Sequence, residues 1–225
     1  MNRIVSALFV VFCAMFLTAC GTYTSLIGTW TKPDYINKRY KKVLVFATGT
    51  KTLVNQSVVE RAVATRLAAG GTMAVPASDV FPRSTYDANG DGKIDDPSIA
   101  GKLAAKLKEQ GYDAVLVFGL KDLKEQERYV PGTVTYTPSP NYGYGYNNGW
   151  SNYWANSYQT VETPGYYTTD VEAYVEANMF DIASGELVWS GQTETLNPVA
   201  ISDASESFAN VIAPAIMKSG LVLVK

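Results

Sequence analysis

Three short apolar runs, separated by segments of helix length, constrain the fold of this chain more than any other feature. Lys42 to Thr48 (KVLVFAT), Thr72 to Pro76 (TMAVP) and Ala114 to Leu120 (AVLVFGL) are short and rich in β-branched residues, the pattern of buried strands. Between the first two, Ser57-Val58-Val59-Glu60 spells a capping box, in which hydroxyl and carboxylate satisfy free N–H groups at a helix start. Val59, Ala62, Val63 and Leu67 then share one helical face, and Gly70 ends it. Between the second and third, Asp96-Pro97 opens a helix with proline at its first position. Ile99, Leu103 and Leu107 line its inner face, and Gly111 stops it. The order β-α-β-α-β predicts α/β layering, with helices packed on at least one face of the sheet.

After residue 168 the period changes from helical to twofold. Val171, Ala173, Val175, Ala177 and Met179 alternate with Glu172, Tyr174, Glu176, Asn178 and Phe180, as in a strand with one wet face. Asp181 to Gly185 is a turn, and Glu186 to Thr195 returns as its partner, so the pair predicts a β-hairpin. A last helix is expected from Ser205 to Ser219, burying Phe208, Val211, Ile212 and Ile216, kinked at Pro214 and ended by Gly220. The expected fold is a single α/β mixed-sheet domain over 42–225, with insertions at 85–97 and 129–168. Asp122, Lys124, Glu125, Glu127 and Arg128 read as a solvated face.

The N-terminus has the layout of an export signal. Arg3 precedes an almost wholly apolar run from Ile4 to Leu17, shorter than the roughly 20 residues that span a bilayer. The run ends in Leu17-Thr18-Ala19-Cys20-Gly21, which resembles the lipobox of bacterial lipoproteins. That resemblance implies cleavage of residues 1–19, a covalent lipid on the Cys20 sulfur, and two or three acyl chains, enough for stable anchoring. Glycine rather than aspartate after the cysteine implies the outer membrane, with the folded part facing the periplasm. Residues 20–41 read as the lipidated cysteine and a tether, because Gly21 to Tyr40 shows no clean period.

Composition narrows the function. The chain has 2 cysteines, Cys13 and Cys20, so the processed chain holds one and forms no internal disulfide. It has 0 histidines, and so lacks the usual general base near neutral pH. Neither a phosphate-cradling loop nor a nucleophile elbow occurs, and the expectation is a protein that is not an enzyme. A formal net charge of −2 and the absence of a basic run argue against nucleic acid as a partner.

Two segments could carry binding. Asp87-Ala88-Asn89-Gly90-Asp91-Gly92-Lys93-Ile94-Asp95-Asp96 looks like an EF-hand or dockerin-type Ca²⁺ loop. Asp87, Asn89 and Asp91 offer side-chain oxygens at positions one, three and five, Lys93 a backbone carbonyl, and Asp95 a carboxylate at position nine. Gly92 allows the sharp turn at position six. Ser98 stands where such loops have a bidentate acid, which points to the weak affinities of extracellular modules, roughly 10⁻⁴–10⁻³ M. The other segment, 129–168, is rich in tyrosine, glycine and asparagine and has no lysine or arginine. Tyr142, Tyr144, Tyr146, Trp150, Tyr153 and Trp154 offer rigid amphipathic contact area, suited to a protein or glycan partner.

The hairpin carries the second resemblance. Phe180-Asp181-Ile182-Ala183-Ser184-Gly185-Glu186-Leu187-Val188-Trp189-Ser190-Gly191, with Gly111 to Gly119 (GYDAVLVFG) before it, resembles the domain shared by the curli-secretion lipoprotein and the lipoprotein activator of penicillin-binding proteins. In that motif Ser184 and Gly185 make the turn and Trp189 plugs the core. The resemblance implies an envelope lipoprotein that binds or assembles partners. It leaves open a regulator of a peptidoglycan-synthesising enzyme and a self-associating subunit of an outer-membrane export channel.

Overall fold

The computed structural model describes residues 22–36, 38–50, 52–91, 97–138 and 158–224. The three apolar runs form strands β2 (Lys42–Thr48), β3 (Met73–Pro76) and β4 (Ala114–Val130). They lie in parallel with β2 in the middle, Val43 opposite both Ala74 and Ala114. Helix α1 (Leu53–Ala69) connects β2 to β3, and α2 (Pro97–Glu109) precedes β4. The hairpin follows as β7 (Tyr166–Asp181) and β8 (Leu187–Leu196), antiparallel, with Ala177 opposite Gly191. Helix α3 (Ile201–Lys218) closes the chain.

One segment departs from its expectation. Gly21 to Tyr40, read as a tether, carries strand β1 (Tyr23–Thr31), which pairs antiparallel with β8 from Tyr23–Leu196 to Thr31–Trp189. A bulge between Leu26 and Gly28 shifts the register there and erases the twofold period that would have revealed the strand. Tyr40 is buried, donating its N–H to the Leu221 carbonyl. The mixed sheet therefore has six strands, in the order β1-β8-β7-β4-β2-β3.

Alternation along β2 sends its residues to two cores. Val43, Val45 and Ala47 face α1 and α3, packing with Leu67, Leu116, Met179, Trp189, Ile212 and Ile216. Leu44 and Phe46 face the other way, toward Phe81, Tyr86, Leu103 and Leu107. Helices thus cover both sides of the parallel half. Among the described residues, no helix is long and apolar enough to cross a membrane.

The last helix begins four residues earlier than Ser205 and buries Phe208, Ile212 and Ile216 as expected, while Val211 is half-buried. Pro214 lies inside it on the exposed side.

Residues 125–170 form a compact unit of their own. Within it β5 (Thr133–Pro138) and β6 (Tyr158–Thr163) pair antiparallel, Thr133 opposite Thr163. Arg128 Nε donates to Asp170 Oδ2 at 2.8 Å, and the Tyr129 and Tyr167 rings lie 5.2 Å apart. The charge run from Asp122 to Arg128 lies on β4 and is solvent-exposed throughout.

Candidate functional site

The capping box resolves into a different device. Helix α1 starts at Leu53, four residues before the expected cap, and the Thr52 hydroxyl accepts the Asn55 N–H at 3.2 Å. Ser57 is inside the helix, its hydroxyl bonded back to the Val54 carbonyl at 2.9 Å. Glu60 is fully buried. Its Oε1 accepts from the Ala47 N–H (3.0 Å) and Gln56 Nε2 (2.8 Å), and its Oε2 from the Ser78 N–H (2.8 Å). Gln56 Nε2 also donates to the Tyr86 hydroxyl at 2.7 Å. A carboxylate accepts without donating, and here each of these partners is a donor. The cluster ties α1 to β2 and to the segment that leads into the acidic loop.

That loop is built around an arginine. Asp87 is buried, and its Oδ2 takes both Arg83 Nε (2.7 Å) and Arg83 Nη2 (2.6 Å). The same Nη2 reaches the carbonyls of Thr50 (2.7 Å) and Gly90 (3.3 Å). Asn89 Oδ1 accepts the Asp91 N–H at 2.8 Å, a local Asx-type closure. In the described part of the loop a guanidinium already neutralises the position-one carboxylate. Lys93 and Asp95 lie outside the described residues. Among the described residues, no group of three or more Asp, Glu, His or Cys is gathered as for a metal.

The hairpin motif has a visible purpose. Asp181 is buried at the end of β7, and its Oδ1 accepts the Ser184 N–H (2.7 Å) and hydroxyl (2.9 Å). Gly185, at φ +74°, supplies the left-handed residue that returns the chain. The other oxygen, Oδ2, takes the Tyr40 hydroxyl at 3.0 Å and the Lys38 ammonium. Lys32 and the Tyr35 hydroxyl bind Glu186 at 2.7 and 2.6 Å. The turn is thereby stapled to the segment between β1 and β2.

Burial pushes the Asp181 carboxyl up, but the donors from Lys38, Ser184 and Tyr40 outweigh it and hold the pKa at about 2. The folded value lies below the ordinary carboxylate value of about 3.9, so this stabilisation is complete above about pH 4 and is lost as pH falls toward 2. Asp181→Asn should lower unfolding free energy by on the order of 2 kcal/mol at neutral pH. The gap from wild type should close by about pH 2, measured by urea unfolding across that range.

A groove of about 390 Å³ opens at the ends of the parallel strands, where β2 reaches Thr48 and β4 reaches Leu120. Its walls include Val59, Phe118, Leu123, Val175, Pro198 and Phe208, and among the described residues no charged side chain lines it. Leu53, Val54, Leu120, Leu123 and Ile201 are exposed in or next to it. In open α/β sheets this is the end at which ligands gather. The described lining offers apolar contact and a few hydroxyls and an amide.

The remaining expected site residues, Cys20, Tyr142, Tyr144, Tyr146, Trp150, Tyr153 and Trp154, lie outside the described residues. The strands flanking the aromatic segment, β5 and β6, had no clean sequence period; their pairing joins Val134 to Glu162 and Thr135 to Val161.

No protein-family model matches the sequence, and neither does any curated protein. Among solved structures, the chain is similar to the PelC dodecamer from Paraburkholderia phytofirmans. The identity is 15%, covering 90% of this chain and 99% of that one, with a TM-score of 0.44. It is also similar to the lipoprotein GNA1162 from Neisseria meningitidis, at 14% identity, 79% and 99% coverage and a TM-score of 0.41. Neither comparison identifies the curli-secretion or penicillin-binding-protein activator family.

Proposed function

We propose that this chain is a non-enzymatic lipoprotein of the bacterial envelope, anchored by lipid on Cys20. It would act as a binding and assembly module for an envelope or surface structure, facing the periplasm from the outer membrane. The observation that carries this reading is Leu17-Thr18-Ala19-Cys20 after an export signal, followed within three residues by the first strand of the domain. The absence of histidine from the sequence and the uncharged groove support a binding role over catalysis. The aromatic segment from Tyr142 to Trp154, between β5 and β6 in the sequence, is the proposed contact for a protein or glycan. Nucleic acid is not among the proposed partners. Cys20→Ser should abolish palmitate incorporation and release the protein from the membrane fraction. Retention with no lipid would end this reading.

A self-associating subunit is the second reading, favoured by the outer edge of the sheet. Strand β1 is an edge strand and exposes Leu26, Ile27 and Trp30. Such an edge is a template for pairing unless it is covered. Mass photometry of the detergent-extracted protein tests it, and a monomer excludes it.

Calcium belongs to the proposal as a weak stabiliser. Asp87, Asn89, Asp91, the Lys93 carbonyl and Asp95 would hold the ion, and the Arg83 charge beside Asp87 would oppose it. With a dissociation constant near 10⁻³ M, 10 mM Ca²⁺ should raise the melting temperature by about 3–5 °C. Asp91→Ala should remove the rise, and an unchanged wild-type melt would end the claim.

A further inference from the structure

The position of the first strand decides how the domain meets its membrane. Between Cys20 and the first described residue, Thr22, lie two residue steps, at most about 7 Å of extended chain. That is about the depth of one headgroup layer, so a lipid on Cys20 leaves no length for a swinging tether. Thr22 and the Tyr23–Leu196 pair next to it are then held close to the bilayer surface.

That end of the sheet exposes apolar side chains among charged ones, Lys121, Asp122 and Lys124 on β4 and Asp203 on α3. Tyr23 pairs with Leu196 at the end of β8, and both are exposed. The chain then turns through Asn197, which takes a φ of +46°. Its N–H donates to the Val171 carbonyl at 2.7 Å, and its Oδ1 accepts the Val171 N–H at 2.8 Å. The corner is therefore pinned, and it presents Val199 at 84% exposure, followed by Ile201 at the start of α3. Leu120 and Leu123 flank the same groove that Ile201 lines.

Leaving such residues in water gains nothing, whereas placing them at the headgroup–acyl boundary removes apolar surface from water. Tyr23 suits that boundary, with an apolar ring and a polar tip. Lys121, Asp122, Lys124 and Asp203 flank these residues with both signs of charge, so the contact is argued from apolar area and not from net charge.

We infer that Tyr23, Leu196, Val199, Ile201, Leu120 and Leu123 form a lipid-facing foot that rests in the bilayer surface. The lipidated domain stands on the membrane in one orientation. This rests on the lipid-anchor reading, and its test separates the two. A thioether-linked Cys20 does not react with maleimide, so the lipidated protein can be labelled at one new cysteine. Val199→Cys marks the foot. Val224→Cys marks the opposite end, where Val222 bridges Tyr40 ahead of β2. Each labelled protein, its Cys20 lipid verified by mass, is reconstituted into phosphatidylcholine vesicles with and without doxyl-labelled phosphatidylcholine.

The foot predicts that an environment-sensitive dye at 199 loses quenching by aqueous iodide and gains quenching by doxyl lipid. The dye at 224 should stay open to iodide. Equal access at both sites on lipidated protein overturns the foot while the anchor stands. Protection at 199 without doxyl quenching also overturns it, because protein rather than lipid then covers the site. Protein without lipid on Cys20 overturns the anchor reading, and the foot with it.

Discussion

Trp189→Ala should lower the unfolding free energy by about 3–5 kcal/mol, a large share of the 5–15 kcal/mol typical of a domain. Trp189 is fully buried on β8, opposite Met179 on one side and Thr31 on the other. It belongs to the core that joins β2, β4, α1 and α3. Gly191 lies against its ring, and a Cβ at that position would run into the indole. Truncation leaves a void that surrounding strands cannot close without losing the β1–β8 and β7–β8 pairings. Trp30, 49% exposed on the edge strand, is the internal control, and its alanine variant should cost less than about 1 kcal/mol. Urea unfolding of both variants checks the pair. A Trp189 variant as stable as the Trp30 variant would mean that the hairpin does not pack as described.

Glu60→Leu should be of comparable size for a different reason. The Glu60 carboxylate satisfies two backbone N–H groups and the Gln56 amide in a site without solvent. Leucine fills the volume but leaves those donors buried without an acceptor, at about 1–3 kcal/mol each before relaxation. A net loss of about 3–5 kcal/mol follows, in line with breaking other buried charged networks. Glu60→Gln should be milder than Leu, because it keeps one acceptor oxygen but turns an amide N–H₂ toward a donor. Thermal unfolding ranks the three proteins. A Leu variant equal to wild type would show that the carboxylate does not hold α1 against Ala47 and Ser78.

The legible parts of this fold were those with an unbroken period. Lys42 to Thr48 and Ala114 to Phe118 are covered on both faces, so a plain apolar run marks each. The β7–β8 hairpin alternates cleanly, and Ser184-Gly185 punctuates it. Strand β1 escaped because its bulge at Leu26 to Gly28 adds a residue and breaks the alternation, leaving only its threonines and aromatics as a sign of β-structure. The capping box misled because Ser57 and Glu60 have the right spacing in the wrong turn. Glu60 stands three and seven residues before Val63 and Leu67, so it faces inward with them, and that spacing could have flagged a buried acid. For Asp87 the sequence reports residue type and spacing. It does not report that Arg83, one helical turn earlier, is bonded to the same oxygen.

The site was legible only in part for the same reason. The proposed lipid site at Cys20 rests on five adjacent residues and needs no fold to be proposed. The apolar foot joins residues 23, 120, 123, 196, 199 and 201, which only the sheet register brings to one end. Once β1 is recognised as a strand, the expected tether of about 20 residues shrinks to a reach of about 7 Å, and orientation becomes part of function.

The account depends on lipid attached at Cys20, directly ahead of the folded sheet. Intact-mass and N-terminal peptide mass spectrometry of protein extracted from its native membrane tests this most directly. The predicted result is a chain that begins at Cys20, lacks residues 1–19 and carries a diacylglycerol thioether. A chain that retains Met1, or one that begins at Cys20 with an unmodified thiol, would contradict it.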